Sequence, residues 1–136
     1  MHLEINDNTI LENLQHTFTN FYPYLTIEFY RGQHHRYEAS DETVRIDPLK
    51  KVCDVLDTHI STLLEIQPWY KVKDIEKEFQ ERIGISIQIM KKEKEDWEQT
   101  TGLDNLTLRD LNILGRNSSD EYIVTDYDET FDEEFK

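Results

Sequence analysis

The sequence predicts a small α+β domain, and three observations carry that reading. Apolar residues recur at helical spacing in some stretches and alternate in others, so both element types are expected. The two kinds take turns along most of the chain, and one pair of extended stretches is separated by only a short charged turn. The chain has 136 residues. That is about one domain, able to bury roughly 65–70% of its unfolded surface without disulfides.

The first helix is expected over 9–22. Thr9 and Glu12 form a capping-box pattern, Ile10, Leu14, Phe18 and Phe21 share a face, and Pro23 stops it. YLTIEFY then alternates, with Leu25, Ile27 and Phe29 on one side of a half-buried strand. A polar connection follows over 31–43. A second helix opens at DPLKKVCDVLD, with Asp47 to cap, Pro48 at the first position and Leu49, Val52, Cys53 and Leu56 as its apolar stripe. Ile60, Thr62, Leu64 and Ile66 suggest a second strand, punctuated by Pro68.

The third helix spans about 71–83, with Val72, Ile75, Phe79 and Ile83 on one face and Gly84 past its end. Lys71 cannot accept a capping bond; Asp74 and Glu76 in the first turn compensate in part. Ile85, Ile87 and Ile89 form the clearest strand, KKEKED turns the chain, and WEQTT returns beside it. A last helix, capped by Thr107, carries Leu108, Leu111 and Leu114 to Gly115. The expected order is α-β-α-β-α-β-β-α, giving about a four-stranded mixed sheet with helices mainly on one face. No internal repeat is visible. One compact domain over 1–115 and a flexible C-terminal tail over 116–136 complete the organisation.

Fifteen basic residues face 29 acidic ones, a net charge of −14. Residues 120–136 alone hold eight acids against Lys136. Such a field repels phosphate backbones and argues against direct nucleic-acid binding. It favours a basic partner, cations or plain solubility as a solvated tail. No apolar run approaches the roughly 20 residues of a membrane span, and the N-terminus lacks a signal-peptide pattern, so a soluble, cytoplasmic protein is expected. The lone Cys53 suits a reducing compartment, and its place in the stripe predicts an inert core thiol.

From Phe79 to Asn112 the chain carries Gly84, Ile85, Ile87, Trp97, Thr100, Thr101, Asp104, Thr107 and Leu108 as a helix–Gly–strand–turn–Trp strand–TTxxDxxTL segment. In this it resembles a group of small uncharacterised bacterial α+β proteins. The resemblance covers about a quarter of the chain. It implies a compact hairpin-plus-helix domain, and no activity comes with it.

Several stretches imitate chemistry. TDYDET places Asp126, Asp128 and Thr130 as in the DxDxT of haloacid-dehalogenase-like phosphatases, but that chemistry needs a later lysine and further acids, and six residues remain. The same run lacks the glycine and the closing bidentate acid of an EF-hand. His34 and His35, with Glu38 nearby, are the weak candidates for a metal or general-base site. Adjacent residues on a regular element point apart, and Arg31 and Arg36 oppose a divalent cation. No cofactor is expected.

Binding features are stronger. Tyr122, Tyr127, Phe131 and Phe135 are interleaved with acids such as Asp128, unlike a purely solvating tail. Trp69 and Tyr70 follow Pro68 between a strand and a helix, where the pair either covers the edge of the core or, if exposed, would anchor a partner. The expectation is a non-enzymatic protein–protein interaction domain with an acidic docking tail, its partner another protein with a basic or apolar groove. A homodimer stays open. The alternatives are an acidic inhibitor that mimics nucleic acid toward a DNA- or RNA-binding protein, and a metal-dependent enzyme using His34 and His35.

Overall fold

The computed structural model describes residues 1–31 and 45–119. Nine elements follow one another: β1 (His2–Asn6), α1 (Leu11–Phe21), β2 (Leu25–Tyr30), α2 (Val52–Val55), β3 (Ser61–Glu65), α3 (Val72–Arg82), β4 (Ser86–Glu93), β5 (Asp96–Gln99) and α4 (Leu108–Asn117). The α+β class stands. The element order and the single mixed sheet do not.

Two antiparallel sheets replace it, one of β1 and β3 and one ordered β2-β4-β5. The strand missing from the sequence-based order is β1. Only Leu3 and Ile5 of its five residues are apolar, too short an alternation to read without its partner. That partner is β3, and the N-terminal ammonium closes the pair by donating to Ile66 O at 3.1 Å. Leu3, Ile5, Leu64 and Ile66 join Leu25, Ile27, Phe29, Ile87 and Ile89 in one continuous core.

The helices start in an unexpected way. Thr9 and Glu12 make no capping box, because Thr9 Oγ1 accepts from Asn6 N instead. The cap of α1 is Ile10, which has no acceptor to offer. The first N–H groups find carbonyls on another helix start: Leu11 N donates to Lys50 O at 3.0 Å and Glu12 N to Pro48 O at 2.7 Å. In return Val52 N and Cys53 N donate to Thr9 O and Asp7 O, both at 2.9 Å. The pair α3/α4 repeats this bond for bond. Val72 N and Lys73 N reach Leu106 O and Asp104 O, while Leu108 N and Arg109 N reach Tyr70 O and Pro68 O, all at 3.0 Å. Orphan helix donors are thus satisfied by backbone rather than by side chains. Side chains add only two acceptors at the described helix starts: Thr107 Oγ1 accepts from Asp110 N in α4, and Asp54 Oδ2 accepts from Lys51 N at 3.1 Å in α2.

The bond-for-bond match marks an internal structural repeat. Leu3 and Leu64, Ile5 and Ile66, Leu11 and Val72, Leu14 and Ile75, and Phe18 and Phe79 each lie 61 positions apart, and all are buried. Leu3 pairs directly with Leu64 across β1/β3, and Glu28 with Gln88 across β2/β4. Residues facing their own equivalents in both sheets mark a local two-fold axis. The halves diverge in side chains while keeping buried positions, which hid the repeat from the sequence.

Three further expectations are corrected. The second helix does not begin at Asp47, whose carboxylate closes a local turn by accepting from Leu49 N at 2.9 Å. It shrinks to Val52–Val55, leaving Leu49 at 67% exposure and Cys53 exposed rather than in the core. Gly115 does not end α4. It lies inside the helix, where a Cβ would stand 2.8 Å from Tyr24 O. The helix runs on to Asn117, Ser118 O accepts from Lys94 N, and Ser119 is buried, so the folded body extends past 115 to at least 119.

Candidate functional site

Trp69 sits on the turn that joins β3 to α3. The turn is held from several directions: Tyr70 N donates to Gln67 O at 3.0 Å, and the carbonyls on either side of Trp69, those of Pro68 and Tyr70, accept from α4. The backbone is therefore fixed while the indole stays 67% exposed. Tyr70 leans back on the core and meets Trp69 edge-on, with centroids 6.1 Å apart and planes at 89°. The hollow beside Tyr70, over Leu64, Ile75 and Phe79, measures about 10 Å³. That holds about one water, so this corner is a projecting aromatic and not a pocket.

The equivalent turn in the first half is Asp7-Asn8-Thr9. It makes the same bonds: Thr9 N donates to Asn6 O, and Asp7 O and Thr9 O accept from α2. Asn8 stands where Trp69 stands, so the turn itself has no need of an indole.

The sequence did not point to a second feature, a cleft of about 510 Å³ in the first half. Phe29 and Ile46 form its apolar floor, and Gln15, Glu28, Arg45 and Asp47 bring polar groups to its walls. Arg45 Nη1 lies 3.5 and 3.4 Å from the two Glu28 oxygens, a loose pairing, and Tyr30 Oη donates to Glu28 Oε1 at 3.0 Å. Asp47 spends one oxygen on Leu49 N.

In the second half the same place is packed with polar side chains. Arg45 pairs with Tyr30 as Gln99 pairs with Met90. Ile46 N donates to Phe29 O, and Thr100 Oγ1 to Ile89 O at 2.7 Å. Pro48 O and Asp104 O receive the equivalent helix N–H groups. One residue separates Ile46 from Pro48, whereas three separate Thr100 from Asp104. The longer loop carries Thr100 and Asp104 into burial near Glu76, the counterpart of Gln15, and Gln88 of β4 is buried there too, donating to Thr100 Oγ1 at 3.3 Å. Burial above all pushes the Glu76 carboxyl up to about 8; the 3.4 Å bond from Ile89 N opposes this and the Asp104 charge adds to it. Gln99 Oε1 is buried there with no hydrogen-bond partner among the described residues. Asp104 and Thr100 were visible in the TTxxD segment, but nothing in the sequence separates Glu76 from the other acids of α3.

Of the residues expected to bind a partner, the structure thus positions Trp69 and Tyr70. Tyr122, Tyr127, Asp128, Phe131 and Phe135 lie outside the described residues, as do His34, His35 and Glu38. Among the described residues no group of three or more His, Cys, Asp or Glu side chains converges as metal ligands would. His59 Nδ1 lies 2.7 Å from Asp7 Oδ2, an acid–imidazole pair with the imidazole side chain 98% exposed. The Ile60 N–H, followed by His59, holds the Asp7 carboxyl below its ordinary value. Trp97 lies partly exposed under Lys92 Nζ, 5.0 Å from the ring centroid. No described helix is long and apolar enough to cross a membrane.

No protein-family model matches the chain, and neither a curated protein nor a solved structure matches it.

Proposed function

We propose that the chain is a small non-enzymatic binding domain that docks on another protein, with Trp69 as the anchor and Tyr70 as its brace. One observation carries this reading: the same backbone turn is built without an aromatic at Asn8, so the fold does not require the exposed indole of Trp69. An indole on a rigid turn loses little freedom on binding and contributes large apolar area, the profile of an interface hot spot. The acidic segment 120–136, with Tyr122, Tyr127, Asp128, Phe131 and Phe135, supplies a second contact to a partner that is basic or apolar where it meets the tail. The nucleic-acid-mimic reading needs acids spread over the folded body. The described residues carry 18 acids against 13 bases, a net of −5 out of −14, which favours docking.

The test is affinity capture from the chain's own cells, comparing the full chain with Trp69→Ala and with a chain ending at Ser119. Loss of a specific partner in Trp69→Ala, with an unchanged melting temperature, is the expected result. A partner list unchanged by either variant removes both contacts from the account.

A further inference from the structure

The first-half cleft has an apolar floor, two carboxylates on its walls, and one guanidinium that belongs to the chain itself. We infer that this cleft receives an arginine side chain from a basic peptide of the partner, bound between Glu28 and Asp47 in place of Arg45. The inference rests on the protein-binding reading and names the chemistry of its partner.

Three observations converge on it. First, the cleft exists because the loop after Ile46 is shorter than its counterpart. Where Thr100, Asp104 and Glu76 fill the second half from within, about 510 Å³ is left in the first. Second, the cleft already hosts the proposed chemistry in weak form. Arg45 approaches both Glu28 oxygens through one nitrogen at 3.4–3.5 Å, short of a two-nitrogen fork, and its side chain is 45% exposed. It can swing into water at little cost, because an exposed ion pair of this kind contributes about 0–1 kcal/mol. Third, the walls outnumber that cation. Asp47 and Glu28 each commit one carboxylate oxygen locally, to Leu49 N and Tyr30 Oη, and Arg45 is held only loosely by Glu28. An incoming guanidinium gains the planar fork that carboxylates favour.

The test is a titration of the full isotope-labelled chain, followed by amide NMR shifts. The probe is N-acetyl-arginine amide, and its control is N-acetyl-citrulline amide, equal in stem but uncharged. Saturable shifts at Phe29, Ile46 and Asp47 are expected, about tenfold weaker with citrulline and in Glu28→Gln. Arg45→Ala should bind the probe more tightly, since it removes the internal competitor. Absence of saturable shifts at these amides overturns the inference. So do shifts that citrulline matches or that Glu28→Gln leaves intact, and so does weaker binding in Arg45→Ala. The spectrum of each variant reports whether it is folded. Trp69→Ala should leave the titration unchanged, so failure of the cleft and failure of the aromatic anchor are read separately.

Discussion

Leu11 and Glu12 at the start of α1 give their N–H groups to Lys50 and Pro48; Val72 and Lys73 at the start of α3 give theirs to Leu106 and Asp104. The two helix starts share a wiring diagram and almost no capping chemistry, since their caps are Ile10 and Lys71. Reciprocal backbone bonding relieves the cap position of the need for an oxygen-bearing side chain, so its identity is free to drift. Buried equivalents are apolar in both halves, and Phe18 and Phe79 are both phenylalanine at 1% exposure. If the halves are equivalent in packing as well as in topology, Phe18→Ala and Phe79→Ala should each cost about 3–5 kcal/mol in urea unfolding. A difference of more than about 2 kcal/mol between them would show that one half carries the core and the other leans on it.

The halves part at their second helices, where α2 has four residues and α4 ten. The longer helix lies against the ends of β2 and β4 at Gly115. Tyr24 O stands 2.8 Å, and Tyr24 Cβ 2.9 Å, from where a Cβ would sit. The same carbonyl accepts from Lys92 N, and Tyr24 N donates to Asn112 of α4, so the contact has little room to yield. Gly115→Ala should therefore destabilise by about 1–3 kcal/mol, despite the better helix propensity of alanine. A neutral or stabilising result would mean that α4 rides loosely on the sheet and that its extra length is not used for docking.

The legible and illegible parts of the chain follow from the range of the forces involved. α1, β2, α3, β4 and α4 were readable because each carries its own apolar period, and Thr107 because it bonds within its own first turn. β1 was not, since two apolar residues become a strand only against β3, some sixty positions away. The DPLKKVCDVLD stretch has helical periodicity, but its first residues are committed to a turn and to the carbonyls that serve α1, so Cys53 ends at the surface. The place of Trp69, after Pro68 between a strand and a helix, was legible because the flanking elements each carry their own apolar pattern. The cleft was not, because it arises from a loop-length difference between halves whose kinship shows only in three dimensions.

The chemical contrast between the halves is Gln15 against Glu76. Gln15 Nε2 donates to Ile27 O at 2.7 Å and is indifferent to pH. Glu76 is held at about 8 against an ordinary value of 4.5, chiefly by burial. Between those two values the unfolded chain has lost the proton that the folded chain keeps. Unfolding in that window releases a proton, so this group's contribution to stability declines as pH rises and levels off above 8. Glu76→Gln should remove that slope. The variant should match the parent near pH 4.5 and exceed it at pH 8 by on the order of 1–3 kcal/mol. The difference between the two stability curves isolates Glu76, since every other titrating group is common to both. The converse swap, Gln15→Glu, should carry the slope into the first half, because an ionised carboxylate cannot donate to Ile27 O. Parallel curves for parent and Glu76→Gln would mean that Glu76 is already ionised when folded. The filled half would then hold a salt-like charge cluster where a neutral hydrogen-bonded one is expected.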